Sequence, residues 1–156
     1  MIKGQHWDGA ALATALVSSE EALEGKIVVT IGKANGADAP DDMIKVTLPE
    51  CGGLDFVVGV ARPRILVTVM LAEADSVPNR ERFEQTLLRA NKVVPLSAFA
   101  LSTINGLDVY ELYGELSTGS EIEEIIEEIK ILGANAIEAL ERIEEWKSAA
   151  AAKGSN

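Results

Sequence analysis

From Met43 to Leu71 the chain alternates apolar and polar residues through three successive runs, joined by connections of only a few residues. Ile44, Val46 and Leu48 fall on one side of the first run. Leu54, Phe56, Val58 and Val60 do so in the second, and Ile65, Val67, Val69 and Leu71 in the third. A period of two marks a strand with one buried face. Pro49 to Gly53 and Ala61-Arg62-Pro63 are too short for the crossover that parallel strands need, so the runs form an antiparallel meander. A β-branched run from Lys26 to Ile31 adds a strand ahead of it. The glycine-bearing, polar stretch 32–42 between them reads as a surface loop.

The flanking segments read as helices. Trp7, Ala11, Leu12, Ala15 and Leu16 fall at helical spacing, with Asp8 as a cap. Ser18 with Glu21 offers a capping box for a second turn ending before Gly25. One bent helix and two helices both fit. Downstream, Asn79 is an expected N-cap, and Phe83, Leu87 and Ala90 make one stripe. Pro95 stops that helix, because the residue before a proline is pushed out of the α region. Leu96 to Thr103 and Leu107 to Leu116 read as strands around Asn105-Gly106, a dipeptide suited to a turn with two positive φ angles. Ser120 and Glu123 form an expected capping box ahead of the longest stripe, Ile122 through Ile143. Extended to Trp146, it predicts a helix of about 27 residues and roughly 40 Å.

These readings give an α+β fold: a curved antiparallel sheet flanked by helices, in the order α-ββββ-α-ββ-α, with a long C-terminal helix. Residues 1–147 form one expected domain, and 148–156 an expected frayed tail. A chain of 156 residues is long enough to bury about two-thirds of its unfolded surface without metal or disulfide support.

Composition narrows the function. The net charge is −11, which disfavours phosphate backbones and anionic lipid surfaces as ligands. Cys51 is the only cysteine and His6 the only histidine. An intramolecular disulfide and a multi-Cys/His metal site are thereby excluded within one chain. Asp38, Asp41 and Asp42 lack calcium-loop spacing and read as loop solvation. Glu123, Glu124, Glu127 and Glu128 read as a solvated helix face. No nucleophile motif or phosphate-binding glycine loop is present. No catalytic, cofactor-binding or metal residue is therefore expected, nor direct membrane insertion, and the expected location is cytoplasmic.

Apolar residues on the second sheet face carry the positive expectation. Val57, Leu66 and Met70 point away from the alternating core and ask for a cover. Together with Phe99, Tyr113 and the stripe residues Ile122, Ile126 and Ile129 they form the candidate partner interface, for a second copy or another protein. Arg80, Arg82, Arg89 and Lys92 form a candidate basic patch. The other expectation is a small-molecule-binding or enzymatic domain with a carboxylate-lined pocket.

Leu87-Leu88-Arg89-Ala90-Asn91-Lys92-Val93-Val94-Pro95-Leu96-Ser97-Ala98-Phe99 and Tyr110-Glu111-Leu112-Tyr113-Gly114-Glu115-Leu116-Ser117 resemble segments of the bacterial YjfI-like family of unknown function. Trp7 and Leu54-Asp55-Phe56-Val57 fit more loosely. The resemblance covers about residues 7 to 146. In that family the position of Asn91 is often histidine. The resemblance implies no catalytic residues. It implies a link to PspA-like coiled-coil proteins of envelope stress responses, and hence a non-enzymatic chaperone- or adaptor-like protein-binding domain. The element order is similar to secretion-chaperone and YbjN-like domains, which bind proteins and commonly dimerise.

Overall fold

The structure, a computed structural model, describes residues 6–32 and 43–154. Asp38, Asp41 and Asp42 lie outside the described residues. The N-terminal helices are two, α1 (Gly9–Val17) and α2 (Glu20–Leu23). Asp8 caps α1, its carboxylate accepting from the Ala11 N–H at 2.8 Å. Ser19, not Ser18, caps α2, accepting from the Ala22 N–H at 3.3 Å. Four strands follow: β1 (Val28–Gly32), β2 (Met43–Leu48), β3 (Leu54–Ala61) and β4 (Arg64–Glu73). Then come α3 (Arg80–Ala90), β5 (Ala98–Ile104), β6 (Leu107–Ser117) and α4 (Ile122–Lys153).

The six strands form one sheet, β1-β2-β3-β4-β6-β5, antiparallel throughout. The meander pairs as its short connections require. β6 then lies beside β4, and β5 takes the far edge. Asn105 and Gly106 turn the last hairpin with φ of 50° and 79°, the left-handed pair that such a tight turn needs. On the inner face Ile44, Val46, Phe56, Val58, Ile65, Val67 and Leu112 are buried, against Leu12 and Leu16 of α1 and Ile125, Ile129 and Leu132 of α4. Burial of such side chains contributes roughly 1.5–3 kcal/mol each.

Helix α4 has 32 residues, about 48 Å at 1.5 Å per residue. It runs on to Lys153, through a stretch expected to fray, because the composition there favours helix: Ala149, Ala150, Ala151 and Ala152 stand in sequence. Its start differs by one residue from expectation. Ser120 is held in a turn by its N–H to the Ser117 carbonyl (3.0 Å), and its own carbonyl accepts the Trp7 indole N–H (2.7 Å). The capping box therefore forms at Glu121, whose N–H donates to the Glu124 carboxylate at 3.1 Å. The same region secures the chain around Trp7. The Trp7 N–H donates to the Thr118 carbonyl (2.8 Å), and His6 Nδ1 lies 3.0 Å from the Thr118 hydroxyl.

Two further local expectations fail for physical reasons. Asn79 sits at φ 55° with no side-chain cap bond. It lets the chain turn into α3 through the left-handed region, which Asn tolerates better than most residues. β5 begins at Ala98 rather than Leu96, because Leu96 also takes φ 55°, which breaks the extended run.

Candidate functional site

Helix α3 stands apart from the sheet and is held by long side chains. Phe83 is buried and meets Tyr110 edge-on, with ring centroids 5.0 Å apart. It meets Trp146 of α4 in the same manner at 5.3 Å. The Trp146 indole N–H donates to the Pro78 carbonyl at 2.7 Å. At the other end, Asn91 clasps β5. Its side-chain oxygen accepts from the Phe99 N–H (2.7 Å) and its amide donates to the Phe99 carbonyl (3.3 Å). This two-way bond uses the donor and acceptor that a carboxamide offers side by side. An imidazole has no such pair on one edge. Asn135 of α4 donates to the Pro95 carbonyl and the Ser97 hydroxyl, both at 2.9 Å.

These props leave a groove between α3, the segment after it, and α4, with a volume of about 590 Å³. Phe83, Leu87 and Ala90 line one wall; Ala139, Ile143 and Trp146 line the other. Val93 forms part of its lip at 79% exposure. Leu88 and Leu96, also strongly exposed, lie nearby in the chain.

The basic patch divides in two. Arg80 is spent on structure: it donates to Glu84 and to Asp108, each at 2.7 Å. Those carboxylates hold its guanidinium pKa up, and Arg80, with Thr103, holds the Asp108 carboxyl down. The Glu84 carboxylate also accepts the Tyr110 hydroxyl at 3.1 Å. Burial first, then this carboxylate, push the Tyr110 phenol up to about 12. Arg82 lies over the Trp146 ring, 5.9 Å from its centroid. Among the described residues Arg89 and Lys92 make no ion pair. Both are exposed, on and just past the end of the helix that forms one wall of the groove.

The candidate interface also divides. Ile126 and Ile129 are buried in the chain's own core and Ile122 is half-buried, so that stripe is a core stripe and not a docking surface. Phe99 pairs with Leu112 on the inner face and lines the groove. Val57, Leu66, Met70 and Tyr113 do share the outer face. A cross-strand row runs Lys45, Val57, Thr68, Tyr113, Ala98. Val57 is 41% exposed and Met70 56%. Two ion pairs border them, Lys45–Asp55 and Arg64–Glu115, both at 3.3 Å.

One residue of the expected solvated face is buried. Glu128 lies with Ile125, Ile129 and Leu132 on the inward side of α4. A Cβ on Gly114 of β6 would fall 2.3 Å from its Oε1, so the bare glycine makes its room. Burial pushes its carboxyl pKa above the ordinary 4.5. A raised acid pKa means that the folded chain binds this proton more tightly than the unfolded chain. Stability therefore falls as pH rises from the unfolded value through the folded one. Glu128→Gln should raise stability at pH 7, because it removes the charge that burial disfavours while keeping the size of the side chain. The gain should vanish below about pH 4, as urea titrations at both pH values would show. A loss of stability at pH 7 would refute this account.

The remaining chemistry-bearing residues stay apart. Cys51 packs near Gly133 of α4, and burial raises its thiol pKa; His6 sits at Thr118. Among the described residues no metal-ligating cluster occurs, and no helix is long and apolar enough to cross a membrane. A carboxylate-lined pocket is not what the groove provides, since its walls are mainly apolar and its acids, Glu138 and Glu145, lie at the rim.

Comparison with known proteins places this architecture. YjfI of Escherichia coli K12, an uncharacterized protein, is 29% identical over 140 residues, 90% of this chain and 97% of its own. Its counterpart in strain O157:H7 matches equally. Two solved structures share the fold. YbjN of Escherichia coli, a proposed transcription regulator, has a TM-score of 0.54 at 16% identity, covering 85% of this chain and 91% of its own. An uncharacterized protein from Methanothermobacter thermautotrophicus has a TM-score of 0.56 at 15% identity, covering 85% and 97%. Residues 6–147 match the model of a family described as an uncharacterized protein conserved in bacteria, DUF2170, and the chain belongs to that family.

Proposed function

We propose that this chain is a non-enzymatic protein-binding domain of the cytoplasm, chaperone- or adaptor-like, which pairs with a second copy through its open sheet face. The observation that carries the reading is the uncovered apolar centre of that face, Val57 and Met70 with Leu66 and Tyr113. Six strands about 4.8 Å apart, the longer ones about 30 Å in length, offer on the order of 800 Å². That is the share of one partner in a standard interface. The flanking ion pairs carry both signs, so the face is close to self-complementary where the rest of a −11 chain would repel its copy. A PspA-like coiled coil, which the family resemblance implies, is the proposed heterologous partner. The separation of Cys51 from His6 supports binding over catalysis.

Sedimentation equilibrium tests the pairing. The wild-type chain should be a dimer at micromolar concentration. Met70→Asp and Val57→Asp, both exposed in the single chain, should shift it to monomer by at least tenfold in Kd while leaving the thermal midpoint nearly unchanged. A wild-type monomer that also fails to retain a purified PspA-like coiled coil in gel filtration would end the proposal.

A further inference from the structure

We infer that the groove between α3 and α4 is a docking site for an amphipathic α-helix whose apolar stripe carries carboxylates on one flank. This rests on the protein-binding reading but uses a different surface from the open sheet face. Three observations support it. First, shape: the α4 wall runs from Asn135 to Ala149, about 21 Å at 1.5 Å per residue, or four turns of an incoming helix. Small residues, Ala90 and Ala139 among them, keep the trough wide beyond the point where the larger Phe83 and Trp146 meet. Second, chemistry: buried Phe83 and Ile143 lie at the base, while Val93 is 79% exposed at the lip. An open apolar trough of this kind suits side chains entering at i, i+3, i+4 and i+7. A small ligand would need enclosure over most of its surface.

Third, charge selects the occupant. Arg82 and Arg89 are seven residues apart and so share one edge of α3. Arg82 reaches over Trp146 at the groove, which sets that edge beside it, and Lys92 continues the positive run past the helix end. On the opposite lip Glu138 is exposed, and Arg142 is already engaged with Glu145 at 3.2 Å. A helix with Glu or Asp facing α3 and Lys or Arg facing Glu138 meets both lips. The opposed flanks also fix its direction, and they spare it the net repulsion that a wholly acidic helix would meet from a −11 chain.

The test is selection from a phage-displayed library of amphipathic helices on the immobilised full-length chain. Recovered sequences should share the i, i+3, i+4, i+7 apolar spacing with carboxylates on one flank. Synthetic versions should bind the wild type, lose at least tenfold in affinity to Arg89→Glu, and regain it when the peptide's facing Glu becomes Lys. Ala149→Trp, at an exposed position of the wall, should weaken them by a similar factor. An empty selection, helices indifferent to Arg89→Glu and Ala149→Trp, or displacement of the helices by laurate bound in the trough would each overturn the inference. So would loss of the trough in the sedimenting dimer, seen as helix binding only to Met70→Asp monomers. The dimer measurement itself is unaffected by an empty selection, so failure of the groove and failure of the protein-binding reading remain distinguishable.

Discussion

Gly133→Val is expected to cost about 3 kcal/mol or more, enough to lower the thermal midpoint of a domain this size by roughly 6–12 °C. Gly133 is buried in the middle of α4, where glycine is intrinsically unfavourable by about 1 kcal/mol relative to alanine. The reason for tolerating it is contact. A Cβ at this position would meet Leu48 Cδ1 at 2.6 Å and Cys51 Sγ at 3.1 Å. Leu48 ends β2 with no exposed surface, so it has little space in which to give way. Gly133→Ala sets the helix gain against this overlap and should lose no more than about 2 kcal/mol. Valine adds two methyl groups and a stiff χ1, and cannot turn both aside. Leu48→Ala in the Gly133→Val background should restore part of the loss, giving a coupling energy of about 1 kcal/mol or more in a double-mutant cycle. Strict additivity in guanidinium unfolding would show that the close approach of α4 to the β2–β3 turn is not what glycine serves.

Strand parity was legible because one face of the sheet is buried and a slip of one residue would expose it. Ile44, Val46, Phe56, Val58, Ile65, Val67 and Val69 all lie where alternation put them. Helix ends were less legible, because caps compete. Ser18 and Ser19 are adjacent candidates, and Ser120 lost its expected role when Trp7, remote in sequence, took its carbonyl. Position 128 escapes the local pattern for a different reason: a glutamate at an inward helical spacing is admitted only because Gly114 lies opposite, and no short-range signal joins those two residues.

On the sheet, parity set Val57, Leu66 and Met70 off the core, whereas the face of Tyr113 was fixed only by the pairing of β6 with β4. Val57, Leu66, Met70 and Tyr113 share the outer face because each occupies the off-core register. The groove was not legible, since it is a gap set by how far Phe83 and Trp146 hold two helices apart. Its signals were present but unspecific: an apolar run, Val93-Val94-Pro95-Leu96, in a connection where polar residues are usual, and a tryptophan late in α4. Likewise, the three cations on α3 and Lys92 just past it could not be sorted into engaged and free ones without Asp108, which comes from the β5–β6 hairpin.

That dependence on two aromatic rings makes Trp146→Ala the other large effect, a loss of about 3 kcal/mol. The substitution removes the edge-on contact with Phe83, the hydrogen bond to Pro78 and the surface under Arg82 at once. Trp146→Phe separates these contributions. It keeps a ring against Phe83 but has no N–H, so the Pro78 carbonyl loses its donor, at about 1 kcal/mol. The order of stability should be wild type, Trp146→Phe, Trp146→Ala, by chemical denaturation followed with circular dichroism. Hydrogen exchange gives the sharper readout. In Trp146→Ala the amides of α3 should exchange faster, because that helix is tied to the body by few side chains, whereas the amides of β3 and β4 at the centre of the sheet should keep their protection relative to global unfolding. Equal acceleration in α3 and the central strands would mean that α3 is no separate cooperative unit, and that the groove walls are fixed by the core as a whole rather than by Trp146.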